Sequence, residues 1–420
     1  TAATRTFVDT TPVGRQTQTV IDTQGRATSQ QFATLDPASY TYDPRGRIST
    51  AIFGTGINAR TFTYDYNTAG FLAAQTDSLD RVTGFSYDTA GRVTQQTLPD
   101  SRIVTFGYDT SGNPTSLTPP GRPAHTLDYN ALNLLTSYMP PTVAGTGATQ
   151  FAYNLDRQLS TITRPDALTI NFAYDTAGRL QTLTVPNGAY GLSYSGTTGN
   201  LIGITAPGDV GLSFAYDGFL PTLTTWTGAV AGTVGQTFDN NFRMTSQSIN
   251  GANTVNFTYD NDSLPTGVGG LTITRNAQNG LITGKALGSV TDAWGYNNLA
   301  ELTSYSAQFN ATPLYATNFT RDKLGRLTQK VETIGGVTNT IDYAYDLAGR
   351  LSTVKLNNIT VSTYTYDSNS NRASYNGTVT GSYDAQDRMT AYGAATYTYT
   401  ANGELATKTV AAQTTNYSYD

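Results

Sequence analysis

The reactive groups of this chain are mostly carboxylates, and nearly all are aspartates: 27 Asp against three Glu, Glu301, Glu332 and Glu404. Paired carboxylates could serve a glycosidase, so their placement comes first. In the clearest cases each Asp is the second letter of one phrase, Tyr-Asp-x-x-Gly-Arg-aliphatic. It stands as Tyr42-Asp43-Pro44-Arg45-Gly46-Arg47-Ile48, Tyr87-Asp88-Thr89-Ala90-Gly91-Arg92-Val93, Tyr174-Asp175-Thr176-Ala177-Gly178-Arg179-Leu180 and Tyr345-Asp346-Leu347-Ala348-Gly349-Arg350-Leu351. Such an Asp accepts the N–H two residues on and is accounted for as a turn residue, without catalysis.

The other constellations are thin. His125 is the only histidine, so a His-based triad would rest on it; within Arg122-Pro123-Ala124-His125-Thr126-Leu127 it reads as a solvated residue of a return turn. With no Cys and one His, a zinc or other soft-metal site lacks ligands. Asp260-Asn261-Asp262 and Asp239-Asn240-Asn241 are oxygen-rich enough to suggest calcium. Neither has EF-hand spacing or a following bidentate Glu, and both read as hydrated turns. We assign no catalytic, cofactor-binding or metal-ligating residue, and no cofactor. The chain reads as a non-enzyme.

The elements that carry the phrase matter more than any one residue in it. From Ile21, the Tyr-equivalent positions are Tyr42, Tyr66, Tyr87, Tyr108, Tyr129, Tyr153, Tyr174, Tyr194, Tyr216, Phe238, Tyr259, Arg275, Tyr296, Arg321, Tyr345, Tyr366, Tyr383, Tyr399 and Tyr419. Steps near 21 residues persist even where letters are lost, as expected when each copy is one structural unit stacked on its neighbours. Composition agrees. Arg and Asp dominate over Lys and Glu, the better helix formers, while 28 Tyr, many Thr and 41 Gly supply strand and turn residues.

Within one repeat, residues 82–87 read as a strand, 88–91 as a turn, 92–98 as a second strand and 99–101 as a return turn. The fifth-position Gly supplies φ > 0, where a side chain costs about 1 kcal/mol or more. Arg can lay its planar guanidinium on a neighbouring Tyr ring and bond an Asp carboxylate or a turn carbonyl, which Lys cannot do together. About 20 such hairpins at ~4.8 Å per strand make a ribbon on the order of 190 Å wide; closed in one circle it would enclose a space roughly 60 Å across. Sheets beyond about 10 strands curl, split or close. The fold class expected is all-β: an array of about 20 β-hairpin repeats in a long curved sheet, a wall with one face toward an interior and one toward solvent.

Tyr-Asp-x-x-Gly-Arg at a period near 21 is similar to the YD repeats of the rearrangement-hotspot (RHS) family, found in bacterial polymorphic toxins, in shell subunits of insecticidal toxin complexes and in animal teneurins. The resemblance covers the whole chain. It implies a hollow spiral of hairpins and, for bacterial members, a shell around a C-terminal toxic segment released by a self-cleaving aspartyl site in an Asp-Pro-x-Gly phrase. Asp43-Pro44-Arg45-Gly46 is the nearest match here, but it lies early, inside an ordinary repeat, and reads as a turn with Pro at its second position. The resemblance thus implies a scaffold that encloses and protects a polypeptide cargo, secreted or at the cell surface of a bacterium. Its partners would be that cargo or flanking parts of the same parent chain.

Other readings stay open at this level. An extracellular adhesive or fibre built from the same hairpins would self-associate through exposed sheet edges. A receptor or carbohydrate-binding role would use exposed aromatics, although the periodic positions of most Tyr and Phe favour wall packing. Trp226 and Trp294, the only tryptophans, are read as packing residues. The sequons at Asn256, Asn310, Asn318, Asn358 and Asn376 follow from an Asn- and Thr-rich composition. A net charge of −5 with a pI near 4.9 and no basic run gives no footprint for nucleic acid. No stretch approaches the roughly 20 apolar residues of a membrane span. We expect one continuous array over residues 1–420, most eroded at about 194–301. With no Met at Thr1 and Tyr419-Asp420 beginning another copy, it reads as an excerpt of a longer chain.

Overall fold

The computed structural model describes residues 4–419 and consists of forty-one β-strands and a single 3-10 turn, Gly56–Asn58. Thirty-six strands join one antiparallel sheet; the last five, Gly381–Tyr383 to Gln413–Asn416, form another. Pairing runs between consecutive strands, so the chain is a succession of hairpins. The register slips by one residue immediately before the Tyr-equivalent position. This holds from Ile21 through Tyr42, Tyr66, Tyr87 and onward to Tyr399, including the copies where the position is Phe238, Arg275 or Arg321. A bulge sharpens the local twist and tips the chain into the turn.

Each hairpin has two unlike faces. The Tyr and the residue two before it are aromatic or aliphatic in most copies, and they sit half-buried: Phe151 and Tyr153, Phe172 and Tyr174, Tyr397 and Tyr399. The alternate residues, such as Ala152, Ala173 and Thr398, are small or hydroxylic and exposed. Hydroxyls on that face bond across strands, at 2.8 Å for Thr41 and Ser49 and 2.7 Å for Thr398 and Thr407. The sheet has almost no interior: among described residues, Ala51 and Ala395 head the short list of buried apolar side chains, with Pro141 fully enclosed.

Because apolar burial is slight, polar locks matter. Asp43 Oδ1 accepts the N–H groups of Arg45 and Arg47, both at 2.9 Å, while Oδ2 accepts Nε and Nη2 of Arg47 at 2.8 and 2.5 Å. Arg47 then reaches into the next copy. Its guanidinium lies 4.0 Å over the Tyr66 ring, and Nη1 donates to the Gly70 carbonyl at 2.8 Å. Tyr66 donates its hydroxyl back to the Ile48 carbonyl at 2.8 Å. The same lock recurs between Arg26 and Tyr42, Arg179 and Tyr194, Arg326 and Tyr345, and Arg388 and Tyr399. Gly46 has φ +82°, and a Cβ there would stand 3.3 Å from Arg26 Nη1. The glycine therefore serves both the turn and the close approach of the preceding arginine.

The chain divides into two compact units, each made of two separate stretches: Thr1–Ile103 with Asn256–Tyr364, and Val104–Val255 with Thr365–Asp420. Within each, hairpins of the earlier stretch meet hairpins of the later one turn against turn. His125 departs from expectation: it opens the strand His125–Tyr129, half-buried, because pairing with Leu117 begins one residue past the turn.

Candidate functional site: the seam between hairpin rows

In each unit the return turns of the earlier stretch dock on the Tyr-Asp turns of the later one, between residues 236 to 266 apart in sequence. The first contact is the most buried. Thr11 Oγ1 donates to Asp262 Oδ2 at 2.7 Å and the Val13 N–H to Asp262 Oδ1 at 3.1 Å. Arg15, 6% exposed, places Nη1 2.5 Å from Asp262 and Nη2 3.0 Å from Asp260. Further along that unit the Asp36 N–H bonds the Asn298 carbonyl at 2.8 Å, Arg60 pairs with Glu301 at 2.7 Å, and Arg81 reaches the Leu347 carbonyl at 3.3 Å.

The second unit has a seam of the same kind. Arg122 bridges Asp367 at 2.5 Å and Asp387 at 2.7 Å, Gln386 donates to the Pro141 carbonyl at 2.7 Å, and Asn402 donates to Asp166 at 2.6 Å.

Three of these arginines land on copies that have lost their own. The sixth letter is Leu264 in the copy at Tyr259, Glu301 in that at Tyr296 and Asn371 in that at Tyr366. Arg15, Arg60 and Arg122 supply the missing guanidinium from the opposing row. In the Tyr296 copy the acid has moved to the sixth position, and Asn297 holds it with a 2.9 Å bond from Nδ2. Elsewhere, where Phe71, Leu134 and Gln158 replace the arginine, the acid is gone too: Asn67, Asn130 and Asn154 keep the turn through Oδ1 and bring no charge. Two further copies keep the acid without an arginine of their own: Asp109, which the Asn113 amide bonds at 2.8 Å, and Asp217, in a shortened turn. In six of these copies the letters that look eroded in sequence mark either a supplied arginine or a neutralised turn.

Electrostatics follow the contacts. Burial pushes the Asp260 and Asp262 carboxyls up, but hydrogen-bond donors outweigh it: the Leu264 N–H, the Arg15 guanidinium and the Asp262 N–H at Asp260, and the Thr11 hydroxyl, the Val13 N–H and the Arg15 guanidinium at Asp262. Both lie below the usual carboxylate range. Burial likewise raises Glu301, and Arg60 with Asn297 more than reverses it. Asp260-Asn261-Asp262 is thus a socket for Arg15, and the hydrated-turn reading is corrected. Asp239 accepts N–H groups from Asn241 and Arg243 and the Arg243 Nε at 2.8 Å.

The remaining sequence candidates lie apart from the ionic pairs. His125 Nδ1 is 2.7 Å from the Tyr138 hydroxyl, the two rings nearly parallel at 14°, and burial pushes that hydroxyl's pKa up. Trp226 covers Gly232, where a Cβ would come within 2.5 Å of the ring. Trp294 packs edge-on against Tyr305 with Lys285 Nζ 4.6 Å from its ring centre. Asp43-Pro44-Arg45-Gly46 forms the ordinary lock described above. Among described residues, no three His, Cys, Asp or Glu side chains cluster as a metal site. Sequence reasoning missed the seam, although its signal was present: an acid kept where its arginine had been lost.

Comparison with known proteins places this geometry. The chain superposes on the structure of TcdB2-TccC3-Cdc42 with a TM-score of 0.61 at 13% identity, covering 96% of this chain and 29% of that one. It also superposes on the Photorhabdus luminescens Tc holotoxin pore with a TM-score of 0.60 at 13% identity, over 97% of this chain and 29% of that one. TcdB2-TccC3-TEV gives 0.60 at 12%, over 94% and 28%. The chain thus spans less than a third of the length of these similar chains, and the likeness is one of fold. Comparison with curated proteins gives no significant match. The Teneurin YD-shell family pattern matches residues 5–420, essentially the whole repeat array, and the chain belongs to the teneurin YD-shell family.

Proposed function

We propose that this chain is a non-enzymatic wall segment of a YD shell that encloses and protects a polypeptide cargo, in a secreted bacterial protein. The observation that carries the reading is the seam: rows of hairpins locked turn on turn by ion pairs close the gaps between rows of a wall one sheet thick. A wall needs continuity and not a hydrophobic core, which suits the scarcity of buried apolar side chains. Family membership and likeness to toxin-complex structures support the same reading. The cargo and the flanking parts of a longer parent chain are the partners it requires, and residues 1–420 act as one uninterrupted stretch of wall. The test is protease protection of a co-expressed cargo in the parent protein. A cargo cut as fast with the shell as without it sinks the proposal.

One observation favours the alternative of a self-associating adhesive or fibre. The return turns at Leu287 and Val290, Phe309, Ile334 and Val337, and Leu356 and Ile359 expose large apolar side chains at successive hairpin tips, Ile359 to 70% and Val337 to 64%. Contiguous exposed apolar surface marks an association site. Negative-stain images of the parent protein distinguish closed hollow particles from filaments.

A further inference from the structure

A cavity of ≈ 360 Å³ in the unit formed by Thr1–Ile103 and Asn256–Tyr364 has a lining unlike the rest of the seam. Its walls include Trp294, Tyr296, Asn276, Asn279, Thr34 and Thr283, and none of its lining side chains is charged. The neutrality comes from the sequence of two adjacent copies. The copy at Arg275 carries Asn276 in place of Asp and Leu281 in place of Arg, with one extra residue in its turn, and the next copy has Asn297 in place of Asp. A turn that elsewhere presents an ion pair here presents amides. Its volume lies at the small end of the range for small-molecule sites, roughly 300–1,000 Å³.

The polar groups around this cavity have hydrogen-bonding capacity left over. The Trp294 indole N–H is fully covered and out of reach of a ligand, so that this residue borders the cavity through its ring alone. Tyr42, Tyr66, Tyr87 and Tyr174 spend their hydroxyls on a carbonyl of the preceding copy. The Tyr296 hydroxyl makes no such bond, and burial pushes its pKa up. Asn276 uses Oδ1 to accept the Gln278 and Asn279 N–H groups, which leaves its Nδ2 as a donor. Asn279 donates to Thr34 at 3.3 Å, a long bond. With Lys285 over its ring and Tyr305 at its edge, the indole is held in place.

An uncharged cavity bordered by two aromatic residues, with the Tyr296 hydroxyl and the Asn276 amide unspent, suits a neutral ligand rich in acceptor oxygens. A charged ligand would lose its hydration without gaining a counter-charge. We propose that this cavity binds a neutral saccharide of one or two rings, which accepts hydrogen bonds from Tyr296 and Asn276 beside the Trp294 ring. The site is independent of the shell reading: a wall can carry it, and so can a fibre.

The test uses glucose, galactose, N-acetylglucosamine, cellobiose, lactose and chitobiose, with glycerol as a control polyol. Saturation-transfer NMR reads binding to the unaltered protein, and tryptophan emission of the Trp226→Phe variant reads it at Trp294. We expect saturable transfer and an emission change with at least one saccharide and none with glycerol. Asn276→Asp in the Trp226→Phe background retains both turn bonds, as Asp43 does in its own copy, and so keeps the fold while removing the donor. It should weaken binding roughly tenfold, about the size of one lost neutral hydrogen bond. Silence for every saccharide up to about 50 mM, beyond saturation for millimolar binding, overturns the proposal. So does an equal response to glycerol, or an Asn276→Asp variant that binds as well as its parent.

Discussion

The turn at Tyr42 and the turn at Tyr259 hold the same carboxylate in the same way, but their arginines come from opposite ends of the sequence scale. Asp43 takes its guanidinium from Arg47, four residues on. Asp260 takes its from Arg15, 245 residues away, together with Asp262. The local pair is partly exposed and forms as soon as the turn does. The distant pair is buried, and it exists only when two rows are stacked. One chemistry therefore serves both to fold a hairpin and to join hairpin rows, and what differs is how much solvent and chain entropy stand in the way.

That difference sets the order of expected effects. Arg15→Ala should be the most damaging change, because it leaves two carboxylates in a buried socket without a cation; breaking a buried pair from one side costs about 3–5 kcal/mol. Chemical denaturation of wild type and variant measures it. A loss below about 1 kcal/mol would mean that the seam behaves as an exposed ion pair. Adding Leu264→Arg to Arg15→Ala returns the missing letter to its own copy. The double variant should recover about half of the loss, and a double-mutant cycle should show strong coupling between positions 15 and 264, whose side chains both address Asp260.

Acid provides a reversible form of the same comparison. Asp260 and Asp262 are held below their unfolded value of roughly 3.9. A carboxylate so held contributes stability that is fully present above the unfolded pKa and is lost as pH falls through the folded one. Denaturation midpoints should therefore stay flat from about pH 7 to 5 and fall below about pH 4. Arg15→Ala should flatten that acid limb.

The smallest contrast separates the tyrosines. Tyr87→Phe removes a 2.8 Å bond to the Leu72 carbonyl and should cost about 1 kcal/mol. Tyr296→Phe removes a hydroxyl with no such bond and should leave the denaturation midpoint unchanged. Equal losses would show that ring packing, and not the hydroxyl, carries the repeat-to-repeat lock.

Much of this architecture was legible in advance because a repeat writes its rules many times. The period held the register of the copies, and the bulge, which the residues did not announce, recurs at the same letter even at Phe238, Arg275 and Arg321. The substitutions make chemical sense: Arg275 and Arg321 donate to the Pro265 and Leu302 carbonyls, the positions a tyrosine hydroxyl serves elsewhere. His125 reads in the sequence as part of the return turn but opens the following strand, because the onset of strand pairing, which fixes it, depends on the neighbouring hairpin. The polar cavity beside Trp294 was hidden for a similar reason. Thr34 and Asn279 are 245 residues apart, and no local pattern brings them together.

By itself the sequence determined the hairpin, its Asx turn and the tie from each arginine to the next tyrosine, since all of these act within about one period of chain. Tertiary structure alone decided which return turn meets which Tyr-Asp turn, and so which acids keep a partner after their own arginine is lost. Many offsets between two rows of similar hairpins would satisfy the local rules equally well. The choice among them is made by charge: a carboxylate pair such as Asp260 and Asp262 can be buried only where Arg15 arrives to neutralise it.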